Sequence, residues 1–195
     1  CTLMTWRVEY FQEHHITPED PNFLATLDRS PWFRRLRDLV NGYPETRPYV
    51  HFDIHGMRDD STPNDMEFGM SALRLRRPLS YVVLRHLTET YFREMDIPLG
   101  FDSQFQGWKP DQFTVTEQGV LLGNYSLQIE LGSSIRRRLA EDKALLGRFA
   151  DALLHTTTRF RLGPPTPPPV RRRVGILSIP IYAKLRRRIK QGTSY

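Results

Sequence analysis

The stretch YVHFDIHGMRDD, residues 49–60, sets His51, Asp53 and His55 at alternate positions, then Gly56, then Asp59 and Asp60. On an extended chain, residues two apart point the same way. The three polar side chains would therefore share one face, with Phe52 and Ile54 on the other. A neutral imidazole at a strand end is a common zinc ligand, and a carboxylate accepting its other ring N–H fixes the tautomer. His55, directly before the turn at Gly56, is the candidate metal ligand. Asp53 is either its supporting acid or a structural acid on an edge strand, and His51 is incidental to that chemistry. The plainer alternative is a row of half-buried polar residues on an edge strand. Asp59 and Asp60 read as acids that solvate the following loop.

Glu130 is the second residue with chemical promise. YSLQIEL, residues 125–131, alternates strictly, with Tyr125, Leu127, Ile129 and Leu131 on one face and Ser126, Gln128 and Glu130 on the other. That period is a strand's. Beside a metal, such a carboxylate suits a general base that takes a proton from bound water and returns it to the leaving group. On spacing alone the simpler expectation is a strand glutamate facing solvent.

Three helices and a loop would position these strands. SPWFRRLRDLVNG (30–42) has Ser30 as N-cap, Pro31 at the first helical position, one apolar face and a stop at Asn41-Gly42. SYVVLRHLTETYFREM (80–95) repeats Val83, Leu87 and Tyr91 at four-residue intervals. A longer helix is expected over 133–155 from a Ser cap, and a polar loop over Met57–Asp65. Strands separated by helices indicate an α/β domain, with a mostly parallel or mixed sheet flanked by helices.

Charge divides the chain. Residues 159–195 hold ten of its 28 Lys and Arg and no acid, leaving 18 bases against 22 acids in residues 1–158. The basic balance belongs to the tail, so polyanion binding is not the obvious purpose of the body. We expect an α/β body over 1–158 and, over 159–195, a flexible extension with the polyproline linker GPPTPPPV (163–170). RRRVGILSIPIYAKLRRRIK (171–190) suits electrostatic contact with an anionic lipid surface or nucleic acid, or else is a solubilising extension. It carries no aromatic platform except Tyr182, which disfavours single-strand stacking. No apolar run approaches the ~18 residues of a membrane span, and no leader pattern opens the chain. A cytoplasmic location is the expectation. The single Cys1 cannot form an internal disulfide.

Taken together, HFDIHGMRDD, NDMEFGM and TVTEQGVLLGNYSLQIELGSSIRR resemble the N-formylglutamate amidohydrolase-like family, relatives of the zinc carboxypeptidases. DPNFL (20–24) adds to the likeness, which covers roughly residues 20–140. The resemblance implies a phosphorylase/hydrolase-like α/β fold of the zinc carboxypeptidase type. It implies zinc held by His55 of Asp53-Ile54-His55-Gly56, a short strand at DMEFG (65–69), and Glu130 of Leu127-Gln128-Ile129-Glu130 as the catalytic acid–base. An arginine would bind the carboxylate of a small acylated amino-acid substrate through a paired contact; Arg58, Arg74 and Arg136 are the candidates, and Arg136 reads equally as a helix residue. The implied reaction is hydrolysis of a C–N amide bond. One departure stands out: the family's other zinc ligands lie upstream, and only Glu13, His14 and His15 offer themselves there. Adjacent strand residues face opposite ways, so one of the two histidines at most would serve. The chain is then expected to be an N-terminally truncated piece, or a catalytically incomplete relative acting as a binding or scaffold domain.

Overall fold

The computed structural model describes residues 20–27, 30–42 and 49–162. The basic tail, its linker, and Glu13, His14 and His15 lie outside the described residues. Among the described residues, four strands, β1 (Val50–Gly56), β2 (Met66–Gly69), β3 (Leu99–Phe101) and β4 (Tyr125–Leu131), form one sheet in the order β1-β4-β2-β3. β1 runs parallel to β4, β2 runs parallel to β3, and β2 meets β4 antiparallel. The sheet is mixed, with β1 at one edge.

The alternation read in β4 extends across all four strands. On one face lie Phe52 and Ile54 of β1, Leu127, Ile129 and Leu131 of β4, Met66 and Phe68 of β2, and Leu99 and Phe101 of β3. This face carries the core. Helices α3 (Pro78–Arg93), α5 (Ser133–Glu141) and α6 (Lys143–Leu162) supply Leu84, Phe92, Ile135, Leu139, Leu145 and Phe149 to it. Phe68 sits at its centre, fully buried, stacked on Phe101 at 5.1 Å and edge-on to Phe92 at 4.9 Å. The opposite face holds His51, Asp53, His55, Ser126, Gln128, Glu130 and Glu67, with Gly69 and Gly100.

The helix α1 (Pro31–Asn41) forms as expected. Ser30 Oγ accepts the Phe33 N–H at 3.2 Å, and Phe33 and Leu36 are buried. α3 forms too, but its buried stripe is Tyr81, Leu84, Thr88 and Phe92, while Val83 is 48% exposed. Thr88 disguises that stripe; buried, it satisfies its hydroxyl by donating to Leu84 O at 2.8 Å. The expected helix over 133–155 is two helices. Asp142 between them is extended, and its carboxylate accepts the Ala144 and Leu145 N–H groups at 2.8 and 3.0 Å, starting α6 afresh. α6 continues through Leu162, past the expected end of the body, and the chain divides there into units 1–161 and 162–195.

Two short helices, α2 (Ser71–Arg76) and α4 (Val115–Leu121), the three-residue β3 and a 3-10 turn at Pro21–Phe23 are the remaining elements among the described residues. Neither helix shows a long apolar period. α4 buries Thr116, Glu117 and Gln118, with Glu117 paired to Arg76 at 3.0 Å and burial, only partly offset by Arg76, raising its carboxyl. No helix among the described residues is long and apolar enough to cross a membrane.

Candidate functional site

The parallel register of β1 and β4 sets His51 opposite Ser126, Asp53 opposite Gln128 and His55 opposite Glu130. The antiparallel register of β2 sets Glu67 opposite Glu130. His55, Glu130 and Glu67 therefore form one row across three strands, although β1 and β4 are 75 residues apart in sequence. Neighbouring strands are about 4.8 Å apart, which puts side chains of a row within reach of one another.

Asp53 is the hub of the β1 end. Its Oδ1 accepts from His55 Nε2 at 2.7 Å and its Oδ2 from the Thr116 hydroxyl at 2.9 Å. With Nε2 committed to a carboxylate, the proton sits there, and Nδ1 is the basic nitrogen. Burial alone would lower the His55 pKa, but the hydrogen bond and charge of Asp53, with Glu130 and Asp20, raise it above its ordinary 6.5. His51 behaves oppositely. Its Nδ1 pairs with Ser126 Oγ at 3.0 Å, and burial lowers its pKa against the weaker pull of Asp53. α4 presses on that pair: a Cβ on Gly119 would lie 2.1 Å from Ser126 Oγ and 2.4 Å from His51 Nδ1. His51 is thus a neutral strut under α4.

Glu130 does not face solvent. It is 5% exposed, because the polar face is itself covered. Gln128 Nε2 donates to its Oε1. Burial raises its pKa; His55 and Gln128 oppose that rise, and the charges of Asp53 and Glu67 add to it. A buried carboxyl with a raised pKa beside an imidazole is suited to accepting and returning a proton near neutrality.

The three arginines part company. Arg58 is exposed in the loop after β1 and pairs with Asp60 through Nε at 3.1 Å. Arg74 on α2 donates to Ser71 Oγ at 3.1 Å and lies 6.0 Å from the Tyr81 ring centre. Arg136, in the first turn of α5, reaches back across the residue that follows His55. It donates to Ser133 Oγ at 2.9 Å and Met57 O at 3.4 Å, and a Cβ on Gly56 would come within 1.6 Å of its Nη1. Gly56 is needed for that approach. Asp59 is exposed in the loop, as expected, but it also has a partner: its Oδ1 accepts the Ser134 N–H at 3.0 Å and hydroxyl at 3.1 Å. It caps α5 from another segment, where the expected Ser cap is instead Gly132, which has no side chain to offer. Backbone donation from Ser134 lowers its pKa.

Sequence reasoning passes over Glu67, Thr116 and Gln128. Only the register brings Glu67 into the row, and the pattern DMEFG is its one signal.

Zinc is the metal the resemblance implies. The basic Nδ1 of His55 has the donor chemistry for it, with Glu130 alongside. Among the described residues, however, no three His, Cys, Asp or Glu side chains gather closely enough to hold a metal ion. Of the ligands such a site needs, the described residues would offer His55 and not a full set.

Comparison with known proteins finds no match among family models, curated proteins or solved structures.

Proposed function

We propose that the His55–Glu130 row belongs to a zinc-dependent hydrolase of the N-formylglutamate amidohydrolase type, cleaving the C–N amide bond of an N-acylated amino acid or a related small substrate. The reading is supported above all by the register that sets His55 beside Glu130, with Asp53 on Nε2. His55 would hold the metal through Nδ1. Zinc, when bound, supplies polarisation of the carbonyl and a more acidic water. The chain's own part is proton handling and orientation. Asp53 holds the His55 ring in one tautomer. Glu130 takes a proton at Oε2, the oxygen not engaged by Gln128, and returns it to the departing amine nitrogen. Arg136 would pair with a substrate carboxylate, a role that its position against Gly56 supports.

The deciding experiment is zinc stoichiometry after loading and desalting, beside His55→Ala. About one zinc per chain is expected, lost in the variant. Formate release from N-formyl-glutamate should then fall at least ~100-fold in Glu130→Gln. No retained zinc in either protein would favour the catalytically incomplete relative, a binding or scaffold domain. The basic tail is a separate proposal: salt-sensitive binding to anionic vesicles or RNA, abolished by deleting 163–195. Binding that survives the deletion would refute it.

A further inference from the structure

Glu67 is fully buried, and beyond the charge it adds beside Glu130 the proton handling described above gives it no part. Its Oε1 accepts the backbone N–H groups of Gln104 and Phe105 at 2.6 and 2.7 Å. Its Oε2 is buried with no hydrogen-bond partner among the described residues. Burying a carboxyl that is only half satisfied is costly, and an acid directly opposite another acid adds to the cost.

The segment that Glu67 holds is fixed along its length. Asp102, at a left-handed φ of 52°, opens it. Its carboxylate accepts Met70 N–H at 2.6 Å, the Ser71 hydroxyl at 3.2 Å and the Tyr81 hydroxyl at 3.3 Å. Ser71 N–H donates to Gln106 O at 2.9 Å, and Thr114 Oγ1 to Gly107 O at 2.8 Å. At Gly69 the segment lies backbone against backbone: a Cβ there would be 2.5 Å from both Gly107 N and Phe105 O. Gly69 follows Glu67 on the polar face of β2, so the segment runs directly over that face.

We propose that Glu67 is a positioning residue of this site. By pinning the Gln104–Phe105 backbone over the polar face, it fixes the segment that borders the row of His55 and Glu130, and so governs how substrate is held rather than how the bond breaks. The inference rests on the hydrolase reading of the row.

The test compares the full chain, zinc-loaded, with Glu67→Gln and Glu67→Asp, using N-formyl-glutamate as the probe. Two quantities are read: amide hydrogen exchange at Gln104 and Phe105, and the separate values of kcat and KM. In Glu67→Gln, exchange at both amides should quicken at least ~10-fold. KM should rise about 10-fold with kcat, each protein read at its own pH optimum, held within about threefold. Glu67→Asp keeps the acid but shortens its reach, and an intermediate KM is expected; it carries the test if circular dichroism shows Glu67→Gln unfolded. Turnover by the unaltered chain with KM unchanged in the variants overturns this inference alone. A fall in kcat at constant KM also overturns it, by assigning Glu67 to the chemistry. No turnover by the unaltered chain overturns the hydrolase reading and this inference with it.

Discussion

The two faces of one sheet are built from alternate residues of the same strands, and they are held by different physics. On the apolar face, Phe68, Leu127 and Ile129 are fully buried against three helices. That attachment is additive and non-directional, and any residue of similar shape serves. On the polar face, Asp53, Glu67 and Glu130 are nearly as buried, but each depends on particular partners. The helix above it, α4, is short and meets the sheet through Thr116 and Gly119. The difference teaches that burial alone does not tell a core from a site. What distinguishes them is whether removing a residue leaves a void or leaves its partners unpaired.

That contrast can be broken or sharpened by substitution. The largest effect on stability is expected from Phe68→Ala, which should cost about 3–5 kcal/mol in denaturant unfolding, since a buried aromatic is lost and a cavity remains. Asp53→Asn should cost less, about 1–3 kcal/mol, because the amide can still meet Thr116 but now donates to His55 Nε2. The ring proton should move to Nδ1, visible in imidazole nitrogen shifts, and zinc retention should fall. A ring proton that stays on Nε2 would show that Asp53 does not set the tautomer. A third effect is in pH. The folded pKa of His51 lies below 6.5, so it contributes stability that is present above 6.5 and lost as pH falls through the folded value. The folded pKa of His55 lies above 6.5, so its contribution is full below 6.5 and lost as pH rises. His51→Gln should therefore flatten the acid side of the stability profile and leave the alkaline side unchanged; an unchanged acid side would mean that His51 is not the neutral strut described. The smallest effect is expected from Ile54→Thr. Ile54 belongs to the apolar face but is 50% exposed at the sheet edge, and the change should stay within about 0.5 kcal/mol.

Local relations in this arrangement are legible in the sequence. β1, β4 and α1 follow from alternation, a helical stripe and a Ser cap, because each is encoded in adjacent residues. His55 with Asp53 is likewise a local relation, two residues apart. What is not legible depends on pairing between distant segments. Glu130 looks solvent-facing because nothing in YSLQIEL tells of α4 or of the 102–107 segment that covers its polar side. Glu67 joins the row through an antiparallel register, and Asp59 becomes a helix cap only because α5 starts beside it. Asp142 has a local signal, since an acid three residues before Leu145 suits an N-cap, but the apolar period running through it masks the break. The zinc, the amide substrate and the three candidate arginines come from a resemblance, and the choice of Arg136 among them is a proposal that draws on its close approach to Gly56.

The ends of β1 and β4 have a bearing on motion. Met57 N–H donates to Leu131 O at 2.9 Å, Asp59 caps Ser134, and Arg136 reaches Met57 O. The loop leaving His55 and the helix following Glu130 are thus buttoned together beyond the strands themselves. Neither can fray alone. The last turn of one strand and the first turn of the next helix should open as a single cooperative unit, with the amides of Met57 and Ser134 exchanging at matching opening free energies.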